Sequence, residues 1–512
     1  MIAIREVYTD CLPNSVPGEP MPELTRREIL AMLLTAPAAT RAWTQDSSDW
    51  FPLFDGKSLQ GWKPSEHEGT FKVVDGQIIA HGERSHLFYT GSVHGADFRN
   101  FELTAEIKTM PGANSGVYFH TAYQPSGFPA AGFEVQIENN PPAPATGYVE
   151  RKKTGSLYGV RNVYKTFVQN GEWFTMSILV RGKQVQIRIN DMLVVDYVEP
   201  DPPVQADLKF QRVLNHGTFA LQGHDPGSTT HFKNIRVRLL PDTSRPLSTE
   251  LPQVDDLYRE VIRLGTENYP VVDYHVHLKG GLTLQQALEN SRRLGINYGI
   301  AINCGQGFPV HSDDSVQQYL DSMKGQPCFI ALQGEGREWM TLVSPASVAR
   351  FDYVFTDAMT FTDDNGKRMR LWIDDEVGAI TDAQAFMEMY VNRIMSVMRE
   401  PIDIYANPTF LPRQIASEYE MLWTAERRHK VITAAIDNNV AIEINNRYKI
   451  PSASFIKEAK SAGAKFSLGT NNADANLGRL EYPIQMVREC GLKWQDIFVP
   501  RPDGQRKIQA AK

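Results

Sequence analysis

The residues of this sequence best placed for chemistry occur in pairs two positions apart. In VVDYHVHL, residues 271–278, apolar residues alternate with Asp273, His275 and His277. Positions two apart in a strand share a face, so the aspartate and both histidines point one way at the C-terminal end of a predicted strand. Two neutral imidazoles side by side can clamp a divalent metal. The plainer alternative is a pair of polar histidines on an ordinary strand. In the first half, GFEVQI puts Glu134 and Gln136 on one strand face, and LQGH puts Gln222 and His224 two apart. Glutamate and glutamine are poor occupants of a strand interior, so Glu134 and Gln136 are expected to face a polar cleft.

These residues need scaffolds to hold them. A chain of 512 residues is too long for one core and implies at least two domains. A net charge of −7, with no run of basic residues, argues against a nucleic-acid partner. Cys11, Cys304, Cys328 and Cys490 are widely spaced, so neither a CxxC metal site nor a disulfide framework is indicated. From Met21, MPELTRREILAMLLTAPAATRAW carries Arg26-Arg27 ahead of an apolar run, Ile29 to Ala39. This is the pattern of a twin-arginine export signal and implies a periplasmic or secreted protein; an amphipathic N-terminal helix is the alternative. The run is too short for a stable bilayer span, and no other segment suggests an integral membrane helix.

Strand signals crowd residues 50–240. FKVVDGQIIAHG carries an Asp75-Gly76 hairpin turn, and further breaks fall at Arg181-Gly182 and Asn190-Asp191. Strands without intervening helices predict an antiparallel sandwich or jelly roll. Trp62 and Trp173 read as core residues of that sandwich. The order FPLFDGKSLQGWK, SGVYFH, GFEVQI, TGSLYG, GEWF, LQGH and HFKNIRV resembles the 3-keto-disaccharide hydrolase family, also described as 3-keto-glucoside 1,2-lyase and 3-keto-2-hydroxyglucal hydratase domains. The resemblance implies a concanavalin-like jelly roll and a distinctive chemistry. A ketone at sugar C3 acidifies the C2 hydrogen; a base removes it, the C1 substituent leaves, and water adds back. Such an enzyme needs a base, a group to steady the enolate and an acid for the leaving group. On this resemblance the catalytic candidates are Glu134, His120 and His224, with Gln136, Tyr158 and Gln222 holding hydroxyls. The oxidised substrate would come from a separate oxidoreductase. A non-catalytic glycan-binding module is the alternative.

PDTSRPLSTELPQVDD, residues 241–256, reads as a linker. Beyond it, over 257–500, strand-like runs at 271–277, 296–303, 327–334, 352–358, 401–406, 440–445 and 464–470 alternate with helical patterns. TLQQALENSRRLG ends in a helix-stopping Gly295. Seven βα units predict a (β/α)7 barrel, one unit short of the TIM type. With HxH on its first strand it resembles the polymerase and histidinol phosphatase (PHP) superfamily; the amidohydrolases are a less supported home. One divalent metal (Zn, Mn or Mg) on His275, His277 and Glu335, with Asp357 or Glu443, is one expectation; a metal-free, degenerate pocket is the other. Met359, Asn407, Asn471 and Asn472 stand where ligands are usual, and asparagine is the weaker ligand. His311 and His429 are the other histidines of this half.

The favoured expectation is an exported enzyme on 3-keto-glycosides, with the barrel as accessory or second catalytic domain. The competing one is a barrel phosphoesterase carrying a carbohydrate-binding jelly roll. Replacing Arg26 and Arg27 with lysine is expected to stop export, because the receptor reads guanidinium groups; fractionation showing unchanged export of the double variant would reject the signal.

Overall fold

The computed structural model describes residues 49–140, 149–205, 207, 209–248, 251–362 and 366–510. Arg26, Arg27 and Cys11 lie outside them. Residues 50–239 form two antiparallel sheets. In chain order the strands are β1 (Trp50–Pro52), β2 (Trp62–Pro64), β3 (Phe71–Val74), β4 (Gln77–His81), β5 (Ser85–Tyr89), β6 (Phe101–Thr109), β7 (Ser115–Thr121), β8 (Phe133–Ile137), β9 (Phe174–Arg181), β10 (Gln184–Ile189), β11 (Met192–Val198), β12 (Thr218–Gly223) and β13 (Thr229–Leu239). The larger sheet runs β11-β10-β9-β6-β13-β4-β3, with β1 also on β13. Its strands alternate cleanly: Phe101, Leu103, Ala105 and Ile107 of β6 face the core, and the residues between them do not. The expected hairpins are present. Asp75 and Gly76, and Asn190 and Asp191, take the positive φ angles that two-residue turns between twisted strands require.

The smaller sheet, β2-β5-β12-β7-β8, sets up the site. Every residue of β5, β7, β8 and β12 is buried, so both faces are covered. Leu87, Val117, Val135 and Leu221 go into the sandwich core. The other face carries His86, Phe88, Gly116, Tyr118, Glu134, Gln136, Ala220 and Gln222. The register places Tyr118 beside Glu134 and Ala220, and Gln222 beside His86.

The second half is a closed parallel barrel of seven strands: β14 (Val272–Val276), β15 (Asn297–Cys304), β16 (Phe329–Gly334), β17 (Tyr353–Thr356), β20 (Ile404–Tyr405), β21 (Ala441–Asn445) and β22 (Phe466–Gly469). A small hairpin of β18 (Thr360–Thr362) and β19 (Arg368–Arg370) follows β17. Helix α1 (Asp256–Thr266) precedes β14, and α2 (Leu284–Leu294) follows it. Thr283 and Gln286 cap α2 reciprocally, and Gly295 ends it in the left-handed conformation. Each expected strand is found with its ends within a few residues of those expected, mostly shorter, while β15 runs one residue further, to Cys304. The domain begins with α1 at Asp256, within the expected linker, and runs on to Ile508, which lies in its core. Earlier linker residues are pinned to the first domain: Arg245 O accepts from Arg181 Nε at 2.7 Å, and Leu247 N donates to Gln184 at 2.6 Å. Trp173 is a correction. It is partly exposed, with Lys233 Nζ 4.1 Å and Lys108 Nζ 5.0 Å from its ring centre, whereas Trp62 is buried and bonds Leu53 O at 2.7 Å.

The domains are docked through the first domain's loop 149–165. Tyr164 Oη donates to Tyr269 O at 2.7 Å, Asn297 Nδ2 donates to Asn162 O at 2.8 Å, and Lys165 Nζ bonds Asp352 at 2.6 Å. These partners stand just before or at the start of β14, β15 and β17, so the loop covers the N-terminal end of the barrel. Inside the barrel, Tyr353 Oη donates to Tyr274 O at 2.7 Å in space left by Gly299, whose added Cβ would come 1.9 Å from Tyr353 Oη. Gly299→Ala is therefore expected to cost about 1–3 kcal/mol through overpacking, read as a lowered Tm; an unchanged Tm would refute this account of the barrel packing.

Candidate active site

The second face of the smaller sheet opens into a cavity of about 360 Å3. Its polar lining includes Tyr118, Glu134, Gln136, Gln222, Glu150, Tyr158, Arg212 and His224. Glu134 is at its centre. The carboxylate accepts from Tyr118 Oη at 2.6 Å and from Gln222 Nε2 at 3.1 Å, and Gln222 also donates to Tyr118 Oη at 3.1 Å. Burial pushes the Glu134 carboxyl above its usual range, opposed by the nearby Arg212 guanidinium and the Tyr118 hydrogen bond. Burial also pushes the Tyr118 phenol well up, and the Glu134 charge adds to the shift. The arrangement depends on Gly116: a Cβ there would stand 2.5 Å from Glu134 Oε1.

A second carboxylate lies within electrostatic reach, since the Glu150 charge contributes to raising Glu134. Glu150 accepts from Tyr158 Oη at 3.1 Å and bonds the fully buried Lys152 at 3.4 Å. Burial lowers the Lys152 ammonium from its usual range against the pull of Glu150, and Lys152 Nζ lies 4.4 Å from the Tyr158 ring centre. Gln136 Nε2 donates to Asn114 at 2.8 Å, and His224 Nδ1 is 2.7 Å from Asp225. Gln222 Oε1 is buried and finds no partner among the described residues. A buried acceptor left free in a cavity wall is a group that a ligand hydroxyl would satisfy.

The first domain is similar to known proteins. Residues 49–238 match the 3-keto-alpha-glucoside-1,2-lyase-like domain. A relative from Bacteroides thetaiotaomicron, named 3-keto-disaccharide hydrolase, is 25% identical over 231 residues, covering 38% of this chain and 80% of its own length. Among solved structures, a candidate glycosyl hydrolase from Parabacteroides distasonis is 22% identical with a TM-score of 0.33, over 38% of this chain and 95% of that one. The carbohydrate-binding module CBM66 from Bacillus subtilis is 13% identical with a TM-score of 0.24, over 35% and 95%.

Within the lyase-like domain, five of the six expected residues gather at the cavity: Glu134, Gln136, Tyr158, Gln222 and His224. His120 does not. It is buried at positive φ (55°), its ring packed edge-on to Phe101 and Phe119. Its Nε2 is 2.9 Å from Arg99 O and its Nδ1 accepts from Asn215 N at 3.2 Å. It borders a separate groove, and burial pushes it down to about 4. Both ring nitrogens are committed to backbone, so His120 fixes a strand end rather than serving as base. The reading of residues in pairs two apart missed Tyr118, Glu150, Lys152 and Arg212. Tyr118 was legible, since it lies two before His120 on β7; the others come from loops, and no periodicity marks them.

The residues expected to bind metal also come together, at the C-terminal end of the barrel, but as a closed hydrogen-bond network. His275 Nδ1 is 2.6 Å from Glu443 Oε1, and Glu443 Oε2 accepts from Asn407 N and Asn445 Nδ2 at 2.7 and 3.0 Å. Glu335 accepts from Asn303 and Thr360 at 2.7 and 3.0 Å, and Asp357 from Met359 N and Asn407 Nδ2 at 2.9 and 2.8 Å. His277 Nδ1 faces Ala301 O at 3.1 Å. Every carboxylate oxygen of the three acids therefore has a donor, and His275 Nε2 alone is orphaned. Among the described residues no three His, Cys, Asp or Glu side chains are grouped to hold a metal ion. Asn407 and Asn471 supply amide donors where ligands were expected, and Asn471 Nδ2 donates to Asn407 Oδ1 at 2.8 Å. Bonded in this way, the side chains fit the metal-free alternative better than a bound ion. Burial and the Asp357 charge push Glu335 up to about 8.

Glu443→Ala is expected to destabilise the protein by about 3–5 kcal/mol, because it strips His275, Asn407 and Asn445 of a shared buried acceptor. A chelator is expected to leave the wild-type Tm unchanged. A Tm that falls on chelation would return these side chains to the role of ligands.

Proposed function

We propose that the chain is a hydrolase/lyase whose lyase-like domain cleaves 3-keto-glycosides by elimination followed by hydration, a net hydrolysis. The observation that carries this reading is Glu134, a buried carboxylate opening into a sugar-sized cavity with a second carboxylate, Glu150, nearby. The match of residues 49–238 to the 3-keto-alpha-glucoside-1,2-lyase-like domain supports it, as does the relative named 3-keto-disaccharide hydrolase.

In this reading Glu134 takes the C2 proton that the neighbouring C3 ketone has acidified. Burial without full neutralisation suits it: the raised pKa strengthens the base, while Tyr118 and Arg212 keep the ionised form accessible. Arg212, whose charge opposes the rise in the Glu134 pKa, steadies the enolate as it forms. The C1–O bond then breaks, and the departing oxygen takes the proton of the Tyr158 hydroxyl that bonds Glu150. Water adds across the new C1–C2 double bond: its oxygen bonds C1, one of its protons restores the Tyr158–Glu150 pair, and Glu134 gives its proton back to C2, completing hydrolysis. Gln136, Gln222 and His224 hold hydroxyls. The substrate must be oxidised at C3 beforehand, by a separate oxidoreductase. The barrel serves as an accessory domain, and export by the twin-arginine route places the reaction outside the cytoplasm. Among the described residues no helix is long and apolar enough to cross a membrane.

Glu134→Gln keeps shape and loses charge. It is expected to fold normally and to turn over a 3-keto-glucoside at least about a hundredfold more slowly, with the loss in kcat rather than KM. The unoxidised glycoside should not react. Activity requires the ionised carboxylate, so it falls as pH drops through the raised Glu134 pKa. Tyr118→Phe removes a donor that favours ionisation, which raises that pKa further and moves the acid limb of the kcat/KM profile to higher pH. Wild-type turnover by Glu134→Gln, or cleavage of the unoxidised glycoside, would defeat this chemistry.

A further inference from the structure

We infer that the barrel domain completes the sugar cleft, helix α1 forming the wall that limits the size of the group attached to the reacting sugar. The inference rests on the reading of the cleft given above and extends it to specificity. Two cavity-lining residues, Ile262 and Thr266, do not belong to the lyase-like domain; both lie on α1. They lie one turn apart on one helix face. Ile262 packs with Tyr258 of the same helix and Val204 of the first domain in a small apolar cluster separate from both cores. Thr266 Oγ1 donates to Gly159 O at 3.3 Å, beside the cavity residue Tyr158. The next turn is tied down equally firmly. Asn268 Nδ2 donates to Val149 O at 2.6 Å, while its Oδ1 accepts from Arg151 N at 3.0 Å and from Lys152 Nζ at 3.4 Å. Gly265 leaves room for Asn162, whose Nδ2 would lie 2.6 Å from an added Cβ.

The wall is fixed rather than draped, and it differs in character from the floor. The sheet presents Glu134, Gln136, Gln222 and Tyr118, whereas α1 and its neighbours present Ile262, Val204, Val160 and Phe210. A polar floor orients hydroxyls; an apolar wall recognises bulk. The cavity volume is in the range that takes drug-sized ligands, so a sugar ring on Glu134 leaves space toward α1 for whatever is joined to it. The barrel thereby contributes to the active site through its N-terminal end, opposite the end that carries His275 and Glu443.

The test uses the full chain with Ile262→Val, Ile262→Ala and Thr266→Ala, each checked for folding by thermal melting. Relative kcat/KM is measured for 3-keto-glucosides carrying a methyl group or a second hexose at C1. Calorimetry measures binding of the unoxidised methyl glucoside and disaccharide, which bind without reacting. Cutting back the wall is expected to raise the ratio of large to small substrate by about tenfold, the scale of a methylene-sized change in an apolar pocket, and to shift the binding ratio the same way. If Ile262→Ala unfolds, Ile262→Val and Thr266→Ala decide. Turnover by wild type with unchanged ratios in folded variants overturns the wall and leaves the chemistry standing. No turnover, but a shifted binding ratio, overturns the chemistry and leaves the wall standing. Wild type that neither turns over nor binds these sugars overturns both.

Discussion

Loop 149–165 is the constraint on which the rest of the molecule turns. It buries Lys152 and Arg161, and a charge can be buried only where partners surround it. Those partners come from both domains. Lys152 reaches Glu150 of its own loop and Asn268 of the barrel. Arg161 donates to Tyr258 Oη and Arg293 O, both at 3.0 Å, and its guanidinium lies 5.1 and 5.0 Å from the rings of Tyr197 and Tyr258. Pulling the domains apart would leave these cations half-satisfied in an apolar seam. The two folds therefore act as one body around the cleft, and the Glu150–Tyr158 pair is set by the same contacts that seal the seam.

The cleft itself balances two opposing effects. Burial favours the neutral form of Glu134; Arg212 and Tyr118 pull the other way. The raised carboxyl that results is poised for proton transfer, and it exists only because β7 carries glycine at position 116 opposite β8. The barrel uses a similar device for a different end. Gly469 leaves the space in which Glu443 meets His275, since an added Cβ would fall 2.1 Å from Glu443 Oε1 and 2.9 Å from His275 Cβ. There the polar groups satisfy one another, apart from His275 Nε2, and stiffen the end of the barrel.

Much of this was written in local pattern. The period-two alternation of FELTAEIKT, the Asp75-Gly76 and Asn190-Asp191 turns and the helix-ending Gly295 each act within a few residues, so the sequence by itself determined the strands, the hairpins, the seven βα units and the shared face of Glu134 and Gln136. What only the tertiary structure decided involves partners far apart in the chain. His120 and Glu134 lie on neighbouring strands, yet a positive φ at His120 turns its ring to Arg99 O and Asn215 N, away from the cleft. His275 and His277 share a strand face as their spacing requires, but whether that pair faces an ion or a network depends on Asn407, Glu443 and Asn471, which arrive from strands more than a hundred residues away. Spacing along a strand fixes direction; it carries no information about what the opposite wall supplies. That is why the floor of the cleft was legible in the sequence, while its loop-borne Glu150 and Arg212 and the α1 wall emerged only once the two domains were packed together.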